Sequence, residues 1–137
     1  MIVGSIKENT TLEKRVSITP ESAKNIIGLG IKVCIEKEYA LHLGIDDKDY
    51  KDIGVDVKAS SKEVFNSSNL ITKVNCPTDD EIKVLKENTI LIGMLNPSKN
   101  INQINKIIEK KIKPFSLELL PRITRAQSMD VLSSQSN

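Results

Sequence analysis

The chain has few of the side chains on which metal sites, nucleophilic catalysis and base stacking depend. Aromatic residues make up 3% of its 137 positions and tryptophan is absent, so stacking platforms for nucleic-acid bases are not expected. His42 is the only histidine, which excludes a histidine-based metal cluster and disfavours a Ser-His-Asp triad. Cys34 and Cys76 belong to no Cys-x-x-Cys motif and are expected to be reduced, buried thiols. No metal site is therefore predicted.

The sequence also lacks an excess of either charge and a long apolar run. Twenty lysines and arginines face eighteen aspartates and glutamates, for a net charge of +2, so a surface that follows nucleic-acid phosphates is not expected. The longest apolar run, Ile90 to Leu95, is far shorter than the roughly 20 residues of a membrane-spanning helix. Neither a nucleic-acid partner nor a membrane span within this chain is predicted.

A complete nucleotide-binding motif is missing as well. Gly28-Leu29-Gly30 resembles the start of a dinucleotide fingerprint, but Val33 occupies the position of its third glycine. These glycines also end a predicted helix before a strand, whereas a pyrophosphate site needs the opposite order. No Gly-Lys-Ser/Thr sequence is present. The chain therefore carries no cofactor-binding unit of its own.

Short apolar runs alternate with amphipathic segments along the chain. Strands are predicted at Ile2–Ile6, Ile31–Ile35, Val55–Val57, Asn69–Val74, Thr89–Leu95 and Ile112–Leu117. Helices are predicted between them, a short one at Asp46–Ile53 and others with start signals at Thr19-Pro20, Ser60-Ser61-Lys62-Glu63, Thr78-Asp79-Asp80-Glu81 and Asn100. The helix after Asn100 is expected to turn Ile101, Ile104, Ile107 and Ile108 inward.

This alternation predicts a three-layer α/β fold, in which a largely parallel sheet has helices on both faces. Ligands of such sheets bind at the carboxyl ends of the strands, near a reversal of strand order. The loops that follow Ile6, Val74, Leu95 and Leu117 are therefore the places where a site is expected.

The last segment, Glu118 to Asn137, differs in composition from everything before it. It holds two of the three arginines of the chain, Arg122 and Arg125, and four serines. Apolar residues recur every third position from Ile123 to Leu132, so the segment reads equally as a C-terminal helix with one packed and one solvated side. In a functional interpretation, Arg122, Gln127, Asp130 and Ser133 supply donors and acceptors suited to an amide and to ribose hydroxyls.

The stretch from Pro121 to Asn137 resembles the signature of the first, NAD(H)-binding component of proton-translocating NAD(P) transhydrogenases, in the alanine dehydrogenase superfamily. The resemblance extends over the whole chain. It includes the opening strand Ile2-Val3-Gly4-Ser5-Ile6-Lys7-Glu8, the loop Glu13-Lys14-Arg15-Val16-Ser17-Ile18-Thr19-Pro20-Glu21, the strand Leu70-Ile71-Thr72-Lys73-Val74 and the strand end Leu91-Ile92-Gly93-Met94-Leu95-Asn96-Pro97.

The resemblance implies hydride transfer between NADH and NADP+, coupled in the assembled enzyme to proton movement. By motif match, Arg122, Gln127, Asp130 and Ser133 bind NAD(H) at its nicotinamide end, and Gln127 and Asp130 are the catalytic pair. Gln127 bridges toward NADP(H) on a partner component. Hydride passes between two carbon atoms without a general acid or base, so such a site mainly fixes distance and orientation.

Arg15 and Lys73 match positions that bind the substrate carboxylate and carbonyl in alanine dehydrogenases, so they are candidate cleft residues. Those enzymes carry a histidine where this chain has Asn96, and an asparagine cannot serve as their acid or base. An amino-acid (alanine) dehydrogenase lobe is therefore the alternative interpretation, with a non-catalytic truncated remnant as a third. His42 is expected to be a loop residue and Arg125 a helix-surface partner.

The resemblance also implies a missing region. The family has a second lobe that carries the Rossmann fingerprint, and residues 1–137 correspond to the flavodoxin-like or Rossmann-like N-terminal lobe, up to the start of the connecting helix. We therefore expect NAD(H) to be bound jointly with that lobe and the isolated chain to be inactive. The expected partners are the NADP-binding and membrane components and a second copy in a homodimer. The expected location is the cytoplasmic face of a bacterial inner membrane, through those partners.

Overall fold

A six-stranded sheet, parallel throughout, forms the centre of the molecule. The structure is a computed structural model that describes residues 1–117. Its elements are β1 (Ile2–Ser5), α1 (Pro20–Gly28), β2 (Lys32–Glu36), α2 (Asp47–Lys51), β3 (Asp56–Lys58), α3 (Ser61–Ser67), β4 (Leu70–Asn75), α4 (Asp79–Val84), β5 (Ile90–Met94), α5 (Ile101–Glu109) and β6 (Lys113–Ser116). The predicted alternation of strands and helices is confirmed, and the one described element it missed is a 3-10 turn at Leu41–Leu43.

The strands lie in the order β3-β2-β1-β4-β5-β6, so the direction of travel across the sheet reverses between β1 and β4. Neighbouring strands are all parallel, as the βαβ pattern predicts. Crossovers of one hand that run in opposite directions place their helices on opposite faces. Accordingly α1 and α2 lie on one side, here called the α1 face, and α3, α4 and α5 lie on the other, the α3 face.

Each face has its own buried apolar cluster. On the α1 face, Ala23 and Ile26 of α1 pack with Val3, Val33 and Ile35 of the sheet. On the α3 face, the helices contribute Val64, Phe65, Ile82 and Ile107, which pack on the sheet residues Cys34, Ile71 and Leu91. Because burying these side chains removes apolar area from water on both sides, the sheet forms the middle layer of three.

Two of the predicted helix starts are confirmed in detail. Thr19 accepts a hydrogen bond from the amide of Ser22 (3.1 Å), with Pro20 in the first turn of α1. Thr78 and Glu81 form the reciprocal capping box of α4. At α3, Ser60 accepts from the amide of Glu63, but the Glu63 carboxylate accepts from Ala59 instead of Ser60. These contacts satisfy amides that have no partner inside the helix.

The predictions for α5 are partly wrong. Asn100 precedes the helix, but its side-chain amide donates to the carbonyls of Leu95 and Asn96 and does not cap a helix amide. Ile107 is buried, whereas Ile101 and Ile108 are 55% and 58% exposed. The physical reason is that α5 lies over the sheet edge, where one narrow stripe of its surface suffices to cover β5 and β6.

Both cysteines are free thiols, with Cys34 buried and Cys76 only half-buried, so the expected burial is wrong for Cys76. Burial raises the pKa of the Cys34 thiol. Among residues 1–117, every helix is too short or too polar to cross a bilayer.

Candidate functional site

The carboxyl ends of β1 and β4 lie side by side at the reversal of strand order, where parallel sheets place their ligands. The loop after β1, residues 6–19, and the short loop after β4, residues 76–78, leave the sheet here. Arg15 lies in the first of these loops, and Lys73 lies near the end of β4. The fold therefore brings both candidate cleft residues to the same edge.

Glu8 ties these two loops together from a buried position. Its carboxylate accepts hydrogen bonds from the amides of Val74 (3.0 Å) and Asn75 (3.2 Å), and its side chain is 1% exposed. Burial raises the pKa of Glu8, while the nearby Lys73 ammonium and the two amides act against that rise. A buried carboxylate needs such partners, because leaving it unpaired away from water is costly.

Lys73 is buried between two carboxylates. Its Nζ lies 3.4 Å from Oε1 of Glu8 and 3.6 Å from Oε1 of Glu81, and the residue is only 4% exposed. Glu81 itself belongs to the capping box at the start of α4. Lys73 therefore joins the end of β4 to the loop after β1 and to the first turn of α4.

The end of β4 has an irregular register that exposes these contacts. Lys73 pairs with Gly93 of β5, but Asn75 pairs with the next residue, Met94, so Val74 is the extra residue of a bulge. The bulge frees the amides of Val74 and Asn75 for Glu8. Gly93 permits the close approach of the strands here, because a Cβ at this position would overlap the carbonyl oxygen of Lys73.

Arg15 belongs to a second, more exposed group. Its Nε donates to Oε2 of Glu13 (2.9 Å) and its terminal nitrogen donates to Oε1 (3.1 Å), a bidentate pair. Asn75 also donates to Oε1 of Glu13 (3.2 Å), which joins this pair to the bulge of β4. The hydrogen bonds from Arg15 hold the pKa of Glu13 at about 2. The Arg15 side chain is 56% exposed, so its guanidinium faces solvent.

The far end of the same loop is anchored by two tyrosines. The Tyr39 hydroxyl accepts from the amides of Ser17 (3.1 Å) and Ile18 (3.2 Å) and lies 2.8 Å from Oγ of Ser5. The Tyr50 hydroxyl donates to the carbonyl of Ile18 (2.8 Å), and the two rings meet edge to face. Burial raises the pKa of Tyr39 to about 12, so its hydroxyl stays protonated as a structural group.

A cleft of about 350 Å³ opens between the loops that follow β1 and β2. Its walls carry Lys7, Glu8, Thr10, Glu38, Leu41 and His42. His42 lies in the 3-10 turn, and its Nε2 is 2.7 Å from the carbonyl oxygen of Lys14. His42 is thus a loop residue, as expected, and it holds the cleft wall by this contact.

The structure describes Arg15 and Lys73, whereas Arg122, Gln127, Asp130, Ser133 and Arg125 lie outside the described residues. Sequence reasoning missed Glu8, Glu13, Asn75 and Glu81 as partners of the cleft residues. The signal that could have found three of them is local, since Glu8 and Glu13 lie within the motifs that carry the resemblance and Glu81 within a capping box. Asn96 follows β5 with a positive φ of 47°, and its carbonyl accepts from Lys99 and Asn100. Among residues 1–117, no group of three acidic, histidine or cysteine side chains is arranged to hold a metal.

The chain is similar to known proteins over nearly its whole length. Residues 4–137 match the family model described as alanine dehydrogenase/PNT, N-terminal domain. The chain is 36% identical to the first of the separate chains that make up NAD(P) transhydrogenase subunit alpha of Rickettsia prowazekii, with all of this chain and 37% of that protein aligned. It is 32% identical to an alanine dehydrogenase of Methanococcus maripaludis over 92% of this chain and 34% of that protein.

A solved transhydrogenase from Sinorhizobium meliloti superimposes with a TM-score of 0.87 at 36% identity, covering 98% of this chain and 40% of that one. The chain thus spans little more than a third of the length of the Rickettsia and Methanococcus relatives. Its parallel sheet, its helices on both faces and the match over residues 4–137 agree with one another. The chain belongs to the family of alanine dehydrogenase/PNT N-terminal domains.

Proposed function

We propose that this chain is the N-terminal lobe of the NAD(H)-binding component of a proton-translocating NAD(P) transhydrogenase. The observation that carries the proposal is the 36% identity over the full chain to a transhydrogenase alpha subunit. In this proposal the lobe contributes one wall of a site for NADH, and hydride passes to NADP+ on a partner component. The second wall, with the phosphate-binding fingerprint, comes from a Rossmann lobe that follows in the chain or is supplied separately.

Arg122, Asp130 and Ser133 orient the nicotinamide, and Gln127 reaches toward the second nucleotide. The segment that carries them begins directly after β6, which ends at the same edge of the sheet as β1 and β4. Their side chains are donors and acceptors, which suit an amide and ribose hydroxyls. Because hydride transfer depends on the distance and angle of two rings, holding one nicotinamide in place is the main chemical task of such a wall.

Arg15 and Lys73 divide between the cleft and its framework. Lys73 is buried against Glu8 and Glu81, so it acts by fixing the ends of β1, β4 and α4 relative to one another. Arg15 has its guanidinium in solvent, braced by Glu13, so it is the member of the pair that can meet a charged group of a ligand.

The second candidate is an amino-acid dehydrogenase lobe, which the 32% identity to an alanine dehydrogenase favours. Against it stands Asn96, which cannot exchange a proton with substrate. The buried position of Lys73 also removes the cation that would meet a substrate carbonyl. A non-catalytic remnant is the third candidate, and it makes no use of the arginine and aspartate of the last segment.

The proposal places the chain at the cytoplasmic side of a bacterial inner membrane, held there by the NADP-binding and membrane components. A homodimer is included in the same proposal. Both features depend on the longer subunit, of which the chain would be the first third.

The test is NADH binding and hydride transfer by the chain, alone and mixed with a separately produced Rossmann lobe from the same source. Calorimetry and transfer to an NADP+ analogue on the partner component are the two measurements. We expect neither binding nor transfer by the chain alone and both in the mixture. Arg122→Ala and Asp130→Asn should reduce transfer in the mixture, while Lys24→Ala on the exposed side of α1 should not.

Micromolar binding by the chain alone would contradict the shared site. Binding in the mixture without transfer, but with reductive amination of pyruvate, would favour the dehydrogenase alternative. No binding in either case would favour the remnant.

A further inference from the structure

The α1 face of the sheet is covered on only one half. α1 packs against β2 and α2 against β3, so the left half of this face, from β3 to β1, is closed by helices. The strand pairing places Thr72, Ile92 and Phe115 in one row on this same face, in line with Ser5. Ile90 and Leu70 form a second row beside it.

The uncovered half is apolar. Ile90, Ile92 and Met94 of β5 are half-buried, although β5 is an internal strand, and Phe115 of β6 is 49% exposed. We call these four residues the β5–β6 patch. Parallel strands are normally buried on both faces, because their backbones connect through helices that cover them. A patch of this kind on such a sheet marks a surface that another segment covers.

The handedness of the fold indicates which segment this is. The crossovers that run rightward, from β3 to β4 and on to β6, all place their helices on the α3 face. A chain that turns back leftward from β6 with the same hand lies on the α1 face. Among residues 1–117 the chain makes no such return, because β6 is the last strand and Leu117 follows it as a buried residue at the end of the patch.

We propose that residues 118–137 of this chain cover the β5–β6 patch. The segment starts next to Phe115, so its tether keeps it close to the patch at high effective concentration. Twenty residues are enough to cross two strands about 4.8 Å apart and to return along them. Its apolar residues Ile123, Ala126, Met129 and Leu132 recur every third position and give it a side that matches an apolar surface. The inference is independent of hydride transfer and of any cofactor.

A tryptophan at position 115 reports on this contact, because the natural chain contains none. The variant Phe115→Trp in the full chain of 137 residues is compared with Leu29→Trp, at a site that is 77% exposed beyond the end of α1. We expect the probe at position 115 to be quenched by acrylamide roughly threefold less than the probe at position 29, with emission at shorter wavelength.

The same probe is then measured with the segment altered. Ile123→Asp with Met129→Asp should raise quenching at position 115 to the level of position 29, whereas Ser134→Asp with Ser136→Asp, which adds the same charge at polar positions, should not. Lys113→Trp, one row away on the same face, serves if Phe115→Trp disturbs folding. Far-ultraviolet circular dichroism confirms that each variant retains its fold.

Three results would overturn the proposal. Equal quenching at positions 115 and 29 would mean that the patch is open. Protection that disappears on dilution would identify a second copy of the chain as the cover. Protection that persists both on dilution and with the two aspartates at 123 and 129 would mean that residues 1–117 close the patch themselves.

Discussion

Lys73→Met isolates the energetic role of the buried ion pair. The methionine keeps most of the lysine volume but leaves the Glu8 carboxylate without its cation, at a position 1% exposed. Breaking a buried pair on one side costs about 3–5 kcal/mol. The two amides that donate to Glu8 remain and offset some of this, so we expect a loss of about 2–4 kcal/mol in the free energy of unfolding.

The matched control is Lys83→Met. Lys83 also faces a carboxylate, Asp80, at 4.0 Å, but both side chains are largely exposed, so its loss should be below about 0.5 kcal/mol. Urea unfolding of both variants at pH 7 gives the two losses directly. A double variant, Glu8→Gln with Lys73→Met, should recover some of the loss, because no buried charge then remains unpaired.

The pH dependence gives a second check. Burial already raises the pKa of Glu8 above its ordinary 4.5, and removal of the Lys73 ammonium raises it further. An acid whose folded pKa is raised binds more protons in the folded state, so stability falls as pH rises from the unfolded pKa through the folded one. The loss in Lys73→Met should therefore be smaller at pH 5 than at pH 7. If Lys73→Met costs no more than Lys83→Met, or the loss is the same at both pH values, the reasoning is wrong.

Three more predictions concern the same edge of the sheet. Tyr39→Phe leaves two buried loop amides without an acceptor and should cost about 1–3 kcal/mol in urea unfolding. Gly93→Ala should cost about 1–3 kcal/mol, because its Cβ overlaps a neighbouring backbone carbonyl, whereas Gly28→Ala, with open space at the end of α1, should cost nothing. By NMR titration, the Glu13 carboxyl should have a pKa of about 2 that rises toward 4.5 in Arg15→Gln; an unchanged value would remove the guanidinium as the cause.

Helix starts and strand positions could be predicted from the sequence because they depend on neighbours in the chain. Thr19 and Thr78 cap the helices predicted for them, since the amides they accept from lie only three residues away. Asn100 also has a capping residue type but finds two carbonyls of the preceding turn, and no local rule ranks these alternatives. Periodicity likewise predicted that α5 would be amphipathic, but not how wide a stripe the sheet edge would bury.

The candidate site could be predicted only incompletely, for a different reason. The resemblance named Arg15 and Lys73, and the βαβ pattern placed them at the carboxyl ends of strands. The pairing of Lys73 with Glu8 requires β1 and β4 to be neighbours, which follows from the strand order and from nothing local in the sequence. The bulge at Val74 that supplies amides to Glu8 has no sequence signature of its own.

The two basic residues that the sequence offers as equivalent are thus different once folded. Asn75 connects their surroundings, because its amide nitrogen donates to Glu8 and its side chain donates to Glu13, the partner of Arg15. A change in the buried pair therefore reaches the exposed guanidinium through one residue and the bulge that holds it. Since a ligand at this edge would meet Arg15 first, its orientation depends on a lysine that the ligand does not touch. Gly93 belongs to the same arrangement, because it allows β5 to approach the Lys73 carbonyl and so fixes where the bulge begins.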